Sequence, residues 1–246
     1  MDLVKNLAVV VATENPADVD ALKACKYPGS NLTVTEIMQE KVMSIGENMQ
    51  IRRFARFPEN TSVAYVHAGG THGVLVNLAV EGGIDVTELG KNVAMQIAAM
   101  NPIAIDEDGV SEEVKQKEIE VAIEKTKAEQ VQKAVEAALK KANINPAHVD
   151  SEEHMDSNMA KGWITAEDVA KAKEIIATVS AEKAAHLPEQ MIQNIAKGRL
   201  GKFLKEVCLL NQEDIMDGKK TVREVLKEAD PELKVVDFKR FTLRAE

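Results

Sequence analysis

Two histidines and three glycines sit between two apolar runs in YVHAGGTHGVLV, Tyr65 to Val76. Histidine beside glycine can hold a metal, border a phosphate or move a proton, so each chemistry has to be tested against the spacing. A phosphate loop of the GxxxxGK type, followed by Ser or Thr, needs a lysine leading into a helix. Here Gly69-Gly70-Thr71-His72-Gly73 leads into a β-branched run and contains no lysine. A dinucleotide fingerprint fails in the same way, because strand, turn and helix do not follow in order. A turn at Ala68 to Thr71 would set His67 and His72 opposite each other across a ladder. That supplies two ligands where zinc takes three or four. No third Cys, His or acid lies nearby in sequence, and Glu81 is too far along the strand to be assumed. A metal-dependent enzyme centred on His67 and His72 is therefore kept only as an alternative. No serine or cysteine has the context of a nucleophile elbow, and His148, His154 and His186 read as solvated. No catalytic residue, metal ligand or cofactor is assigned, and the chain reads as a non-enzyme.

A second cluster, QIRRFARF, carries Arg52, Arg53 and Arg56 on a protein whose formal net charge is -9. It is either a strand edge kept soluble by charge or a docking surface pairing with carboxylates. The overall charge repels phosphate backbones, and aromatics at 3% leave few platforms for stacking bases. A protein partner is expected rather than nucleic acid. Cys25 and Cys208 are far apart and outside any CxxC pattern, so neither a disulfide framework nor structural zinc is supported. No apolar run approaches a membrane span, and the amphipathic start with Asp2 argues against a signal peptide. A reduced, cytoplasmic setting is the simplest expectation.

These residues need elements to position them. Helical spacing runs from Asp2 to Ala12 and from Asp18 to Ala24. A third helix spans TVTEIMQEKVMSIGEN, with Thr33 or Thr35 as its N-cap and Gly46 closing it. MQIRRFARF reads as extended, and Ser62 to His67 and His72 to Val80 as a hairpin, giving at least three antiparallel strands. Val86 to Met100 is a helix stopped by Asn101-Pro102. From Ser111 the composition turns to Glu, Lys and Ala without Gly or Pro, and Val114, Val121, Ala128, Val135 and Ala142 repeat every seven residues. That heptad seam predicts a supercoiled helix. A polar turn region from Asn143 to Gly162 leads to a second helix with a Thr165–Asp168 capping box. The pair forms a protruding helical hairpin, either a solvated arm or a surface for a partner or a second copy. Pro188 starts a helix closed by Gly198, KKTVREVLKEAD is a helix after Thr221, and ELKVVDFKRFTLRAE is a terminal strand.

Several separated stretches resemble one family, bacterial translation elongation factor Ts. They are SIGENMQIRRFARF, YVHAGGTHGVLV, VAMQIAAMNP, LPEQMIQNIAKGRLGKFLKEVCLLNQ and KKTVREVLKE, ordered and spaced from about Leu3 to Phe241. The resemblance implies an α+β fold of two related subdomains, each a small antiparallel sheet with helices, and an inserted antiparallel coiled-coil helical hairpin. On this reading residues 1–57 are a remnant of the first core subdomain, and 58–110 begin the second. Residues 111–187 are the hairpin and 188–246 complete the second subdomain. The resemblance also implies a guanine-nucleotide exchange factor that binds elongation factor Tu and promotes GDP release. It puts Tyr65, His67, Gly73, Val74 and Leu75 near that contact, with Arg52 and Arg53 in the family's neighbouring strand. In the family a docking module and a Thr-Asp-Phe-Val wedge precede this region. Here MDLVKNLAVVVAT resembles the helix after that motif, and no Thr-Asp-Phe occurs. The expectation is binding with impaired exchange. A coiled-coil adaptor that self-associates through the hairpin is the remaining alternative.

Overall fold

The computed structural model describes residues 2–58, 61–80 and 83–243. Glu81, weighed above as a ligand, and the last three residues of the terminal run lie outside them. The chain is α+β, and it divides into two compact units: Met1–Asn101 with Glu224–Glu246, and Pro102–Arg223.

The first unit opens with α1 (Asp2–Glu14), α2 (Val19–Ala24) and α3 (Val34–Ile45). Asp18 caps α2 by accepting from the Ala21 amide at 2.8 Å. Thr33 and Glu36 make the reciprocal capping box of α3, and Gly46 ends that helix in the left-handed region at φ 79. Val10, Val11, Leu22 and Val34 form the aliphatic core of this part, with Ile51 and Phe54 packed on it. Residues 51–58 belong to no strand. Their alternating look comes from these two anchors, with Arg53 and Arg56 tied elsewhere, so the third strand expected there is supplied by another segment.

That segment is β3 (Lys234–Thr242), which joins β1 (Thr61–His67) and β2 (His72–Ala79) in an antiparallel sheet ordered β1-β2-β3. The central strand is buried along Val74, Val76, Asn77 and Leu78. The helix α4 (Thr87–Met100) covers one face, and Asn101 at φ 48 ends it. Gly90 lets α4 approach closely: a β-carbon there would stand 2.6 Å from Val63 Cγ2 and 3.0 Å from Leu78 Cδ1.

The second unit is helical. Its long helix α5 (Glu112–Lys141) starts at Ser111, whose hydroxyl accepts from the Val114 amide. The turn region expected from Asn143 to Gly162 contains a helix, α6 (Glu152–Ala160), capped by Ser151. It is followed by α7 (Ala166–Ala185), with the Thr165–Asp168 capping box in place. Leu139, Ile144, Val149, Met155, Ile164 and Ala172 make a small core at this end of α5. The next helix, α8 (Glu189–Val207), does not stop at Gly198 but runs through it and through Gly201. Packing along α5 outweighs the roughly 1 kcal/mol that a helical glycine costs.

The burial stripe of α5 also departs from the strict heptad. Val114 is 38% exposed and Ala128 is exposed, while Ala122, Thr126 and Leu139 are buried. The helix serves two neighbours, α7 and α8, so no single seven-residue seam satisfies both. Buried Thr126 satisfies its hydroxyl by donating to the Ala122 carbonyl at 2.7 Å. Ala104 and Val110 pack with Leu204 and Cys208 in a further cluster. Finally α9 (Val222–Ala229) carries the chain back toward β3, with Val222 and Leu226 buried.

Candidate functional site

The β1–β2 hairpin places most of the singled-out residues. Its register pairs His67 with His72, Tyr65 with Val74 and Val63 with Val76. The connection Ala68–Gly70 is a single 3-10 turn, and it needs glycine because Gly69 and Gly70 have φ 66 and 100. The spacing argument for opposed histidines is therefore met by the backbone.

Directly opposed residues share a sheet face, and alternate residues change face. Tyr65, His67, His72 and Val74 thus lie on one face, with Arg240 and Thr242 of β3 across from Val74 and His72. Gly73 and Leu75 lie on the other. On the first face the Tyr65 hydroxyl and His67 Nδ1 share a hydrogen bond at 2.8 Å. The His72 Nδ1 is 3.0 Å from the Thr71 hydroxyl. The rings follow one another, with centroids 5.8 Å apart for Tyr65–His67 and 6.4 Å for His67–His72. The result is a short polar-aromatic strip next to a glycine turn, with His67 exposed and Tyr65 half-buried. Val74, directly opposite Tyr65 on this same face, is 3% exposed and packs the strand. Leu75 is half-buried on the opposite face.

Arg53 and Arg52 separate in role. The Arg53 guanidinium stands 4.6 Å from the centroid of Phe241 and donates to the Thr242 carbonyl at 3.4 Å. It fastens the 51–58 segment to the end of β3. Arg52 is exposed, and Arg56 donates to the Asn15 side-chain carbonyl at 3.0 Å. Sequence reading passed over Val66, which is 68% exposed on the face of Leu75. The alternation of β1 around Tyr65 and His67 was the available signal for it.

The metal alternative finds no support among the described residues. Among the described residues no group of three or more His, Cys, Asp and Glu is placed to hold an ion, so His67 and His72 find no third ligand. His148 packs against Trp163 at 5.6 Å between centroids, His154 pairs with Asp150, and His186 Nδ1 lies 2.9 Å from the Glu182 carbonyl. No helix of the described residues is long and apolar enough to cross a membrane. The thiol of Cys208 is buried, and burial pushes its pKa up, away from the reactive thiolate.

Comparison with known proteins agrees along the chain. The family described as Elongation factor TS matches residues 1–149 and 130–245. Elongation factor Ts of Bacteroides fragilis is 66% identical over 249 residues, covering 98% of this chain and 75% of that protein. Its counterpart in Bacteroides thetaiotaomicron is 67% identical over 249 residues with the same coverage. The protein of that name from Azoarcus sp. is 36% identical over 226 residues, covering 92% of this chain and 55% of its own length. The hairpin, the long helical arm and the terminal strand all fall within these matches. This chain belongs to the elongation factor Ts family.

Proposed function

We propose that this protein is a guanine-nucleotide exchange factor that binds elongation factor Tu and promotes GDP release. The observation that carries the reading is 66% identity to an elongation factor Ts along 98% of the chain. In physical terms the factor binds the nucleotide-free GTPase more tightly than the GDP form. Linkage then requires that GDP bind more weakly in the factor's presence. No bond is made or broken in the factor, so the reading is of a non-enzyme acting by binding alone, in the cytoplasm and without direct contact to nucleic acid.

The contact is assigned to the β1–β2 hairpin. Tyr65 and His67 offer a polar-aromatic surface held by their mutual hydrogen bond, a side-chain class favoured in interface centres. Gly73 and Leu75 border the other side of the hairpin, and buried Val74 packs beside Tyr65 on the first. Arg53 acts at one remove, by holding the segment that flanks β3.

Calorimetric titration of this polypeptide into elongation factor Tu tests the reading, once with the nucleotide-free GTPase and once with GDP in excess. Tight binding to the first and much weaker binding to the second supports it. Equal affinity for both forms would remove the exchange mechanism, and no binding to either would remove the partner.

A further inference from the structure

The sheet face that holds Tyr65 and His67 continues onto β3. The register sets Tyr65, Val74 and Arg240 in one row and His67, His72 and Thr242 in the next. Arg240 differs from the other arginines among the described residues. Arg53 reaches Phe241 and the Thr242 carbonyl, Arg56 reaches Asn15, Arg199 reaches Glu129, and Arg223 reaches the Asn211 side-chain carbonyl. Arg52 is exposed to water. Arg240 is half-buried, yet its Nε is shut off from solvent with no acceptor in reach. Among the described residues its terminal nitrogens find no acceptor either, and these stay open to solvent. Lys239 points to the opposite face, where it pairs with Asp237 at 3.0 Å. A buried donor without an acceptor is a cost that folding ordinarily avoids, so Arg240 calls for a reason outside the free chain.

We infer that Arg240 receives an aspartate or glutamate side chain of elongation factor Tu, which makes it a specificity-determining residue of the hairpin contact. The inference rests on the partner proposed above and names the chemistry by which the contact selects it. Burial of the stem and of Nε holds the guanidinium in one orientation, so little side-chain entropy is left to lose on pairing. The open terminal nitrogens present two parallel N–H donors, the arrangement that a carboxylate accepts as a fork. Val74, 3% exposed, lies beside it in the row, and Tyr65 closes the row on the far strand. Once a partner covers this row and excludes water, the ion pair is screened less than at an open surface. A protein surface without an acid at this point is rejected, because it would cover the guanidinium and leave it unpaired. The patch does not suit a phosphate backbone. Arg240 is the sole lysine or arginine in the two rows, whereas backbone phosphates are held by several cations, and the net charge of -9 repels them.

The test is calorimetric titration of the full chain into nucleotide-free elongation factor Tu, for the wild type, Arg240→Met and Arg240→Glu, beside urea unfolding of each free protein. Methionine keeps the apolar stem and removes the unpaired donor. Arg240→Met should therefore unfold at the same urea concentration as the wild type or at a higher one. Its dissociation constant should nevertheless rise by about tenfold or more, as for the loss of one partner of a charge pair buried at an interface. Arg240→Glu should bind more weakly than Arg240→Met, because two carboxylates then meet. An Arg240→Met variant that binds as tightly as the wild type would overturn the inference, and a lowered urea midpoint beside that affinity would give Arg240 a structural role alone. An Arg240→Glu variant that binds no worse than Arg240→Met would also overturn it, because the facing group is then not an acid. A wild type that fails to bind removes the partner itself and this inference with it, whereas a wild type that binds while both variants match it removes the inference alone.

Discussion

Replacing Gly90 by alanine should destabilise this protein, although the same exchange inside a helix ordinarily stabilises it. Two effects oppose each other. Alanine is favoured over glycine in a helix by about 1 kcal/mol. Against it, the new methyl would stand 2.6 Å from Val63 Cγ2 and 3.0 Å from both Leu78 Cδ1 and Val63 Cβ. Carbon atoms prefer about 3.5–4.0 Å, so α4 or β1 must retreat by about 1 Å. Val63 is β-branched and has few other rotamers to adopt. Overpacking of this kind costs about 1–3 kcal/mol, which leaves a net loss of about 1 kcal/mol. Gly198 in α8 supplies the control, because a β-carbon there meets nothing within 4 Å. Gly198→Ala should stabilise by about 0.5–1 kcal/mol. Urea unfolding with an unchanged m value separates the two signs. Adding Val63→Ala to Gly90→Ala should recover much of the loss, a coupling that a double-mutant cycle reads directly. If Gly90→Ala stabilises as much as Gly198→Ala, the close approach of α4 to the sheet is wrong.

Three further outcomes follow from the same structure. Arg53→Ala should lower stability by about 0.5–1 kcal/mol through loss of its contact with Phe241, and a Phe241→Leu background should absorb most of that effect in urea titrations. Leu139→Ala should cost about 2–5 kcal/mol of the small core that it shares with Ile144, Val149 and Met155. The sole tryptophan, Trp163, should report it as fluorescence change at lower denaturant than in the wild type. Acid should loosen the starts of α3 and α7. The Thr33 and Thr165 backbone amides, with the threonine hydroxyls, hold the Glu36 and Asp168 carboxyls below the usual range. Each lowered pKa means that the unfolded chain binds more protons, so its contribution is full above the ordinary carboxylate value of about 4 and disappears as pH falls through the folded value. Amide exchange in the first turn of α7 should quicken over that window in the wild type and show no such acid step in Asp168→Asn.

Local signals with a short physical range were legible in the sequence. The Thr165–Asp168 capping box is complete within four residues and stands as read, and of the two N-caps open for α3 the structure uses Thr33, boxed with Glu36. The His67–His72 pairing needed only the length of the glycine turn. What failed depended on neighbours remote in the chain. Residues 51–58 carry a strand-like pattern, yet Ile51 and Phe54 are claimed by the α1–α3 core and the third strand comes from 234–242. Gly198 resembles a helix stop, but α5 lies along α8 and keeps it helical. The heptad of α5 is followed only in part by burial, with Val121, Val135 and Ala142 half-buried and Val114 and Ala128 exposed, because two different helices share that element. The same reasoning divides the candidate site. Tyr65 and His67 came only from the family resemblance, while the burial of Val74 and the tether from Arg53 to Phe241 depend on packing that no local pattern reveals.

The central claim is that the β1–β2 hairpin is the surface through which this family member loosens GDP from elongation factor Tu. Stopped-flow release of a fluorescent GDP analogue from the GTPase, with rising concentrations of wild type and of His67→Ala, tests it most directly. His67 is exposed on its strand, so the substitution leaves the fold intact. The account predicts acceleration by the wild type that saturates with concentration, and a variant that needs at least about fivefold more protein for the same rate, as expected for a residue carrying more than about 1 kcal/mol of binding. Identical curves for the two proteins would contradict the placement of the contact, and no acceleration by the wild type at any concentration would contradict the function.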